Sequence, residues 1–337
     1  MKVKVITVFI LGTLLVVSCK NKTDETTSED QLEITESVQE KRKETQAKLS
    51  KAEKLIFGSY VDDSYEKRNE GYDWVSVAVS DAGNDRIKIK VRSRADKKRP
   101  TCTFDATADR VDDNTYSSIL DGKTIIYKFE DSNLTISPEK PEFEGILAFY
   151  CSGGANVAGT YSKINGELDS TQIDKTLFSK VLSLQDIGFN ISSIKDNGKN
   201  TLTVYAFGLE QPDQTFTIEI EGEVEDAEVE DLNSDGSPDV VVFAQASGDN
   251  QKGHVYGFTT NNKKSMSLIS FPSIENRSEL AEGYQGHDEF ALVETSLVRR
   301  FPIYENDQQT GKMRQISYKL KEEEAMRQFE IDQVNEF

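Results

Sequence analysis

Residues 74–91 decide the fold class and read Trp-Val-Ser-Val-Ala-Val-Ser-Asp-Ala-Gly-Asn-Asp-Arg-Ile-Lys-Ile-Lys-Val. Apolar residues alternate with others on both sides of an Asp81–Asp85 turn, which is typical of an antiparallel hairpin with one buried face. Further strand-like segments follow, separated by turn residues, at Thr101–Ala106, Lys123–Phe129, Leu134–Ile136 and Ile146–Cys151. The pattern predicts a small β-barrel or sandwich over residues 56–164, with Gly58-Ser-Tyr60 and Gly159-Thr-Tyr161 at its closing seam.

A second set of β-strand signals fills residues 165–337. Strands are predicted at Thr201–Phe207, Gln214–Ile220 and Val240–Phe243, with more towards the C-terminus, and Thr176–Ser183 has the character of a short helix. The prediction is therefore a mostly β chain with two antiparallel β domains.

The N-terminus predicts export and lipid anchoring. Lys2 and Lys4 precede the apolar run Val5–Val17, so residues 1–18 have the charge pattern and length of a signal peptide. Val16-Val17-Ser18-Cys19 resembles a bacterial lipobox, which implies acyl chains such as palmitate on Cys19; the alternative is a plain signal with a chance cysteine. Lys20, in place of an aspartate that would resemble an inner-membrane retention signal, favours the outer membrane, facing either the periplasm or the cell surface. Residues 19–55 have the composition of a disordered, partly helical tether.

The charge balance limits the classes of partner. The net charge is −19, from 40 basic and 59 acidic side chains, which disfavours nucleic acid and anionic lipid surfaces and favours a basic protein. Whether the chain forms a homodimer is left open by the sequence.

Besides Cys19, two cysteines remain, Cys102 and Cys151. An even pair in an oxidising compartment predicts a structural disulfide, with a metal site or a catalytic thiol as the alternatives. Closing such a loop would contribute about 4 kcal/mol.

The segment Asp231-Leu-Asn-Ser-Asp-Gly-Ser-Pro-Asp239 carries a candidate calcium loop. Its oxygen ligands would be those of Asp231, Asn233, Asp235 and Asp239, at alternate or near-alternate positions around Gly236. Val242 stands where an EF-hand has its bidentate glutamate, so the loop is not a full EF-hand. The alternative is a turn rich in Asp and Asn with no metal.

The same segment begins a longer resemblance. Asp231–Phe243, then Ala246-Ser-Gly-Asp-Asn-Gln-Lys-Gly253, then Tyr256-Gly-Phe258, resemble in order and spacing the periplasmic inhibitors of invertebrate-type lysozyme. Gly283–Phe290 and Leu297–Tyr304 also resemble segments of bacterial proteins assigned to that family. The resemblance covers residues 168–337.

The resemblance implies a β-sandwich that inserts a loop into the substrate cleft of a muramidase. The implied inhibitor residues are Ser247, Gly248, Asp249, Asn250, Gln251, Lys252, Gly253 and Tyr256. In an ungapped match the family's cleft-reaching serine falls on Asp249 and its tyrosine on Lys252. An aspartate would repel an enzyme carboxylate unless one of the two is protonated, whereas a lysine would pair with it.

Enzymatic function is disfavoured. The chain has two histidines, His254 and His287, and no serine or cysteine lies in a recognisable nucleophile motif. His287-Asp288 suggests a catalytic dyad or a metal pair, or a structural hydrogen-bonding role, and Arg299-Arg300 suggests a solvated face. The first hypothesis is a lysozyme inhibitor without a cofactor, and the second is a calcium-stabilised module that binds a glycan or an envelope protein.

Overall fold

The computed structural model describes residues 56–212, 214–322 and 326–337. The described chain is mostly β, as predicted, and its strands pair antiparallel within each sheet. The predicted signal peptide, the acylated Cys19 and the tether of residues 19–55 lie outside the described residues. Within the described ranges, no helix has the length and apolar character needed to cross a membrane.

The first half forms a closed barrel of eight strands. The strands are β1 (Gly58–Val61), β2 (Val75–Gly83), β3 (Arg86–Ser93), β4 (Thr103–Arg110), β5 (Thr115–Leu120), β6 (Lys123–Glu130), β7 (Asn133–Pro138) and β8 (Gly159–Lys163). The closing seam joins β1 to β8, with Tyr60 opposite Lys163, which confirms the predicted seam. The alternating apolar residues of the β2–β3 hairpin point inward, so that Val77 and Ile89 are fully buried.

One predicted strand of the barrel is wrong. Residues 146–151 contribute to a short helix, Gly145–Ala148, whose Leu147 packs into the barrel core. Both edges of β7 are already paired, with β6 and β8, so the sheet has no free edge beside β7 for another strand. The predicted disulfide is confirmed: Cys102 and Cys151 are bonded, with their Cα atoms 4.1 Å apart.

The second half contains three four-stranded sheets. The first sheet has β9 (Thr176–Leu184), β10 (Ile187–Asp196), β11 (Lys199–Phe207) and β12 (Gln214–Ile220). The middle sheet has β13 (Glu223–Glu230), β14 (Asp239–Gln245), β15 (Gly253–Asn261) and β16 (Ser265–Ile269). The last sheet has β17 (Glu289–Val293), β18 (Ser296–Glu305), β19 (Gln308–Lys321) and β20 (Gln328–Glu336). Neighbouring strands are consecutive in the chain, so each sheet is a meander.

The helix predicted at Thr176–Ser183 is instead strand β9. Its backbone pairs with β10 from Thr176 to Leu184, and Phe178 is buried in the core below. The short segment had no decisive period, so its pairing with β10, the next strand along the chain, determined its conformation.

The three sheets are layered, with the middle sheet covered on both faces. Val240 and Val242 of β14 pack into a core shared with the first sheet, whereas Val241 and Phe243 pack into a core shared with the last sheet. This explains why β14 reads as a continuous apolar run rather than an alternating one. The β-sandwich expected here therefore has three layers and two cores.

The barrel contacts the first sheet through a buried ion pair. Arg92 of β3 and Asp105 of β4 are 2.5 Å apart, and both also bond the backbone of β9: the Arg92 guanidinium donates to the carbonyl of Thr176, and the amide of Ser179 donates to Asp105. Whether residues 56–164 and 165–337 are separate domains stays a prediction.

Candidate functional site

The residues that the sequence singled out lie mainly at the two ends of strand β14. The loop Asp231–Asp239 leads into β14, and the loop Ala246–Lys252, whose ends are joined by the Ala246 amide donating to the Lys252 carbonyl at 2.8 Å, leads from β14 to β15. β14 is the most buried strand of the molecule's second half, so both loops start from a rigid element. The two loops differ in where their polar side chains find hydrogen-bond partners.

In the Asp231–Asp239 loop, the polar side chains bond the loop's own backbone. The carboxylate of Asp231 accepts from the amides of Asp235 and Gly236, and that of Asp235 accepts from the amide of Ser237. The side-chain amide of Asn233 donates to Asp235 at 3.0 Å. These are the hydrogen bonds of turns stabilised by Asp and Asn side chains.

A cation does face this loop, and it is an arginine. Nη2 of Arg327 lies 2.8 Å from Oδ2 of Asp235 and 2.9 Å from Glu322, while Nη1 donates to the hydroxyl of Thr259 and the side chain of Asn261. In the part of the chain that the structure describes, no group of three or more His, Cys, Asp or Glu residues is arranged to hold a metal ion. Calcium binding by the four predicted ligands stays a prediction.

Asp239 lies beneath the loop and is only 1% exposed. One of its carboxylate oxygens accepts from the amide of Leu232 at 3.0 Å. Burial raises the pKa of Asp239 to about 6, against the lowering effect of its hydrogen bonds. Asp239 therefore supports the loop from inside.

The predicted inhibitor loop is exposed at its tip. Ser247, Gly248, Asp249, Asn250 and Gln251 are all solvent-exposed. Gly248 has φ +113, a backbone conformation that side chains with a Cβ rarely adopt. The loop therefore offers its tip to a partner.

Three of the predicted inhibitor residues lie outside the tip: Gly253, which is the first residue of β15, Tyr256 and Lys252. Tyr256 is on β15, where its hydroxyl accepts from the amide of Glu221 at 2.7 Å, so it packs along the sheet instead of reaching the loop tip. Lys252 is at the loop base and forms an ion pair with Glu275 at 2.5 Å. These positions follow from the pairing of β14 with β15, which fixes the chain from Gly253 onward.

The segment Gly283–Phe290 holds the C-terminal side of this loop. The amide of His287 donates to the carbonyls of Asn250 and Gln251, at 2.9 and 3.1 Å. A Cβ on Gly286 would stand 1.7 Å from the carbonyl oxygen of Asn250, so only glycine allows this close approach. The two segments that carried the family resemblance are therefore in direct contact.

A buried polar cluster lies under the loop base, formed by Asp288, Arg299 and Tyr284. The Asp288 carboxylate accepts from Nε of Arg299 at 2.6 Å, from the hydroxyl of Tyr284 at 2.6 Å and from the amide of Gly253 at 2.7 Å. The side chain of Asp288 is fully buried and that of Arg299 is 5% exposed. Asp288 thus links the first residue of β15 to the last sheet.

Two members of the cluster have shifted pKa values, Arg299 and Tyr284. Burial by itself would lower the pKa of Arg299, but the charge and hydrogen bond of Asp288 raise it above its ordinary value. Burial and the bond to Asp288 raise the pKa of Tyr284, so the phenol stays protonated and donates. The interpretation of Arg299-Arg300 as a solvated face is thus wrong for Arg299, which is buried, and holds for Arg300, which is exposed.

Sequence reasoning missed this cluster, although a signal existed. Pairing Val293 with Ser296 across the β17–β18 turn places Arg299 opposite Phe290. Phe290 is only two residues after Asp288, so this register brings Arg299 close to Asp288. Of the His287-Asp288 pair, Asp288 has the structural hydrogen-bonding role, while the ring of His287 stacks on Tyr304 with centroids 6.1 Å apart.

A polar cavity of about 360 Å³ opens beside the loop base. Its walls include Lys252, Glu275, His254 and Glu221, and Tyr284 and Arg299 also line it. Nε2 of His254 lies 3.7 Å from the carboxylate of Glu221. The cavity therefore has basic and acidic side chains in its walls, next to the exposed loop.

The comparisons with known proteins add no family to this picture. No protein-family model matches the chain, and no curated protein matches it.

Proposed function

We propose that this protein is a non-enzymatic envelope lipoprotein that binds and inhibits a lysozyme-like muramidase through the loop 246–253. The observation that carries the proposal is the exposed tip Ser247–Gln251, held through backbone groups on its C-terminal side. The amide of His287 donates to the carbonyls of Asn250 and Gln251, and the Asp288 carboxylate accepts from the amide of Gly253. The motif resemblance supplies the class of partner.

A loop held at its base suits insertion into a cleft. Binding a loop that is already ordered avoids much of the entropy lost when a flexible segment becomes fixed. Backbone amides and short polar side chains at Ser247, Asn250 and Gln251 would then meet the enzyme's catalytic carboxylates, and hydrogen bonds to charged groups are the stronger ones.

The two charged residues of the loop, Lys252 and Asp249, would meet charged groups in and around the muramidase cleft. Lys252 would leave or share Glu275 to pair with an enzyme carboxylate, and an exposed ion pair of this kind contributes only about 0–1 kcal/mol. Asp249 is free to approach basic groups at the rim of the cleft. The net charge of −19 would also speed encounter with a basic muramidase in a salt-dependent way.

The test is inhibition of invertebrate-, chicken- and goose-type lysozymes by residues 20–337, at low and high salt. The loop variant carries Asp249→Ala and Lys252→Ala. A matched control carries Asp196→Ala and Lys195→Ala, at a hairpin tip where Lys195 pairs with Glu223 and is 47% exposed, much as Lys252 is 44% exposed. We expect inhibition of at least one lysozyme type, lost in the loop variant and kept in the control. No inhibition of any type at low salt overturns the proposal.

The lipid anchor is a separate part of the proposal. Replacing Cys19 by alanine is expected to move the protein from the outer-membrane fraction to the soluble fraction and to abolish incorporation of labelled palmitate. Unchanged fractionation would contradict the anchor and leave the inhibitory function to be tested by itself.

A further inference from the structure

The outward face of the first sheet is a second candidate binding surface. It is the face turned away from the middle sheet, whose strands β14 and β15 carry the inhibitor loop. Strand pairing places Asn190 opposite Tyr205 and Tyr205 opposite Thr215 in one row. The next row has Ser192, Thr203 and Thr217. The residues between these positions point the other way, into the core shared with the middle sheet.

These two rows carry no charged side chain, in a chain of which 29% of the residues are charged. Asn190, Thr215 and Thr217 are exposed, and Ser192 and Thr203 are half-exposed. Hydroxyl and amide groups both donate and accept hydrogen bonds. Such a face suits an uncharged, hydroxyl-rich partner better than a basic protein.

At one end of the rows an aromatic ring lies flat on the sheet. The ring of Phe207 covers Gly188 so closely that a Cβ on Gly188 would stand 2.1 Å from its Cζ atom. Gly188 has no positive φ, so glycine is required here by the ring and not by the backbone. Tyr205 stacks beside it, with ring centroids 6.1 Å apart and an interplanar angle of 27°.

A third aromatic side chain reaches this face from the barrel. Phe149 is 61% exposed, and it lines a groove of about 640 Å³ together with Phe207. On its other side Phe149 lines a groove of about 360 Å³ together with Asn190 and Ser192. Aromatic surfaces therefore flank the polar rows.

We infer that this face, defined by Phe207, Phe149, Asn190, Ser192, Thr203 and Thr217, binds a neutral polysaccharide strand. The apolar C–H face of a sugar ring packs on an aromatic ring, while its hydroxyl groups bond to side chains with donors and acceptors. Because the two rows carry no charged side chain, they match a glycan that is itself uncharged. The inference does not depend on the inhibitor loop.

The probes are hexamers of N-acetylglucosamine and of glucose, titrated into residues 20–337 by calorimetry at two salt concentrations. We expect one or both to bind with an affinity independent of salt, because these ligands carry no charge. Phe207→Ala is expected to weaken binding at least tenfold and Phe149→Ala several-fold. The matched control is Tyr72→Ala, which removes an aromatic ring that is 50% exposed elsewhere on the barrel.

Further variants keep the inference falsifiable if Phe207→Ala disturbs folding. Gly188→Ala keeps every aromatic ring but displaces Phe207, and Asn190→Ala removes only one amide; both are expected to weaken binding without a large change in Tm. The loop variant with Asp249→Ala and Lys252→Ala is expected to bind glycan normally. No binding of either hexamer, or binding unchanged in Phe149→Ala and Asn190→Ala, overturns the inference.

Discussion

The two loops at the ends of β14 differ in where their polar groups find partners. In the loop Asp231–Asp239 the carboxylates bond the loop's own amides and the guanidinium of Arg327. In the loop 246–253 the side chains of the tip are exposed, and the loop is held by bonds between its backbone and the residues Asp288 and His287. A loop whose acceptors are internally bonded supports the fold, whereas a loop held through its backbone keeps the side chains of its tip for a partner.

The largest expected effect breaks the base of the exposed loop. Asp288→Asn leaves the buried Arg299 without a counter-charge, and losing one partner of a buried pair costs about 3–5 kcal/mol. Urea unfolding measures the loss, and hydrogen exchange at the amide of Gly253 shows whether the loop base is released. The double variant Asp288→Asn with Arg299→Met is expected to lose less than the single variant, because no unpaired charge remains. A single-variant cost below about 1 kcal/mol would show that the cluster does not hold the loop.

The next effect concerns Asp239 beneath the internally bonded loop. Its folded pKa, raised to about 6, lies above the unfolded value near 3.9, so the folded state binds the proton more tightly. The stability contribution of Asp239 is therefore greatest below about pH 4 and is lost as pH rises through 6, by about 2–3 kcal/mol. Asp239→Asn keeps an acceptor for Leu232 and removes this dependence. The difference in unfolding free energy between variant and parent should change by that amount from pH 4 to pH 7; a pH-independent difference would contradict the assignment.

A smaller effect tests the cation of the internally bonded loop. Arg327→Gln removes the ion pairs to Asp235 and Glu322 and is expected to cost about 1–3 kcal/mol. With Asp235 facing Arg327, millimolar calcium is expected to leave the Tm of the parent unchanged and to raise that of the variant. A rise in the parent would instead support the calcium-stabilised module, because a ligand that binds only the folded state increases its stability.

The smallest effect is at the edge of the exposed loop. Glu275→Gln frees Lys252 from an ion pair that is about half-exposed, so the stability change is expected to stay within about 0.5 kcal/mol. Glu223→Gln, which frees Lys195 in the same way, is the control. Under the proposed function Glu275→Gln tightens muramidase inhibition while Glu223→Gln does not; equal inhibition would show that Lys252 is not limited by Glu275.

Local patterns predicted the barrel better than the layered sheets. The period-two hairpin at residues 74–91 and the Gly-x-Tyr seam depend on neighbours close in sequence or on simple closure, and both are confirmed. The strand Thr176–Leu184 was missed because a short segment without a clear period does not distinguish a helix from a strand, although its partner β10 is the next strand along the chain. The strand predicted at residues 146–151 failed because β7 is already paired on both edges.

The candidate site was predicted only in part. The exposed tip Ser247–Gln251 follows from its run of small and polar residues, and the structure confirms its exposure. The buried cluster of Asp288, Arg299 and Tyr284 was not predicted, because charged residues are expected at the surface unless a partner is known. Tyr256 was assigned to the loop by motif order, although it lies within strand β15, where it pairs with Val242 of β14.

By itself the sequence determined the fold class, the disulfide partners and the position of the exposed loop, since periodicity, cysteine parity and turn composition are local properties. Only the tertiary structure decided that β14 is covered on both faces, that Arg327 faces Asp235 and that Asp288 holds Gly253. These contacts join residues far apart in the chain, and which residues meet depends on how the sheets pack on one another.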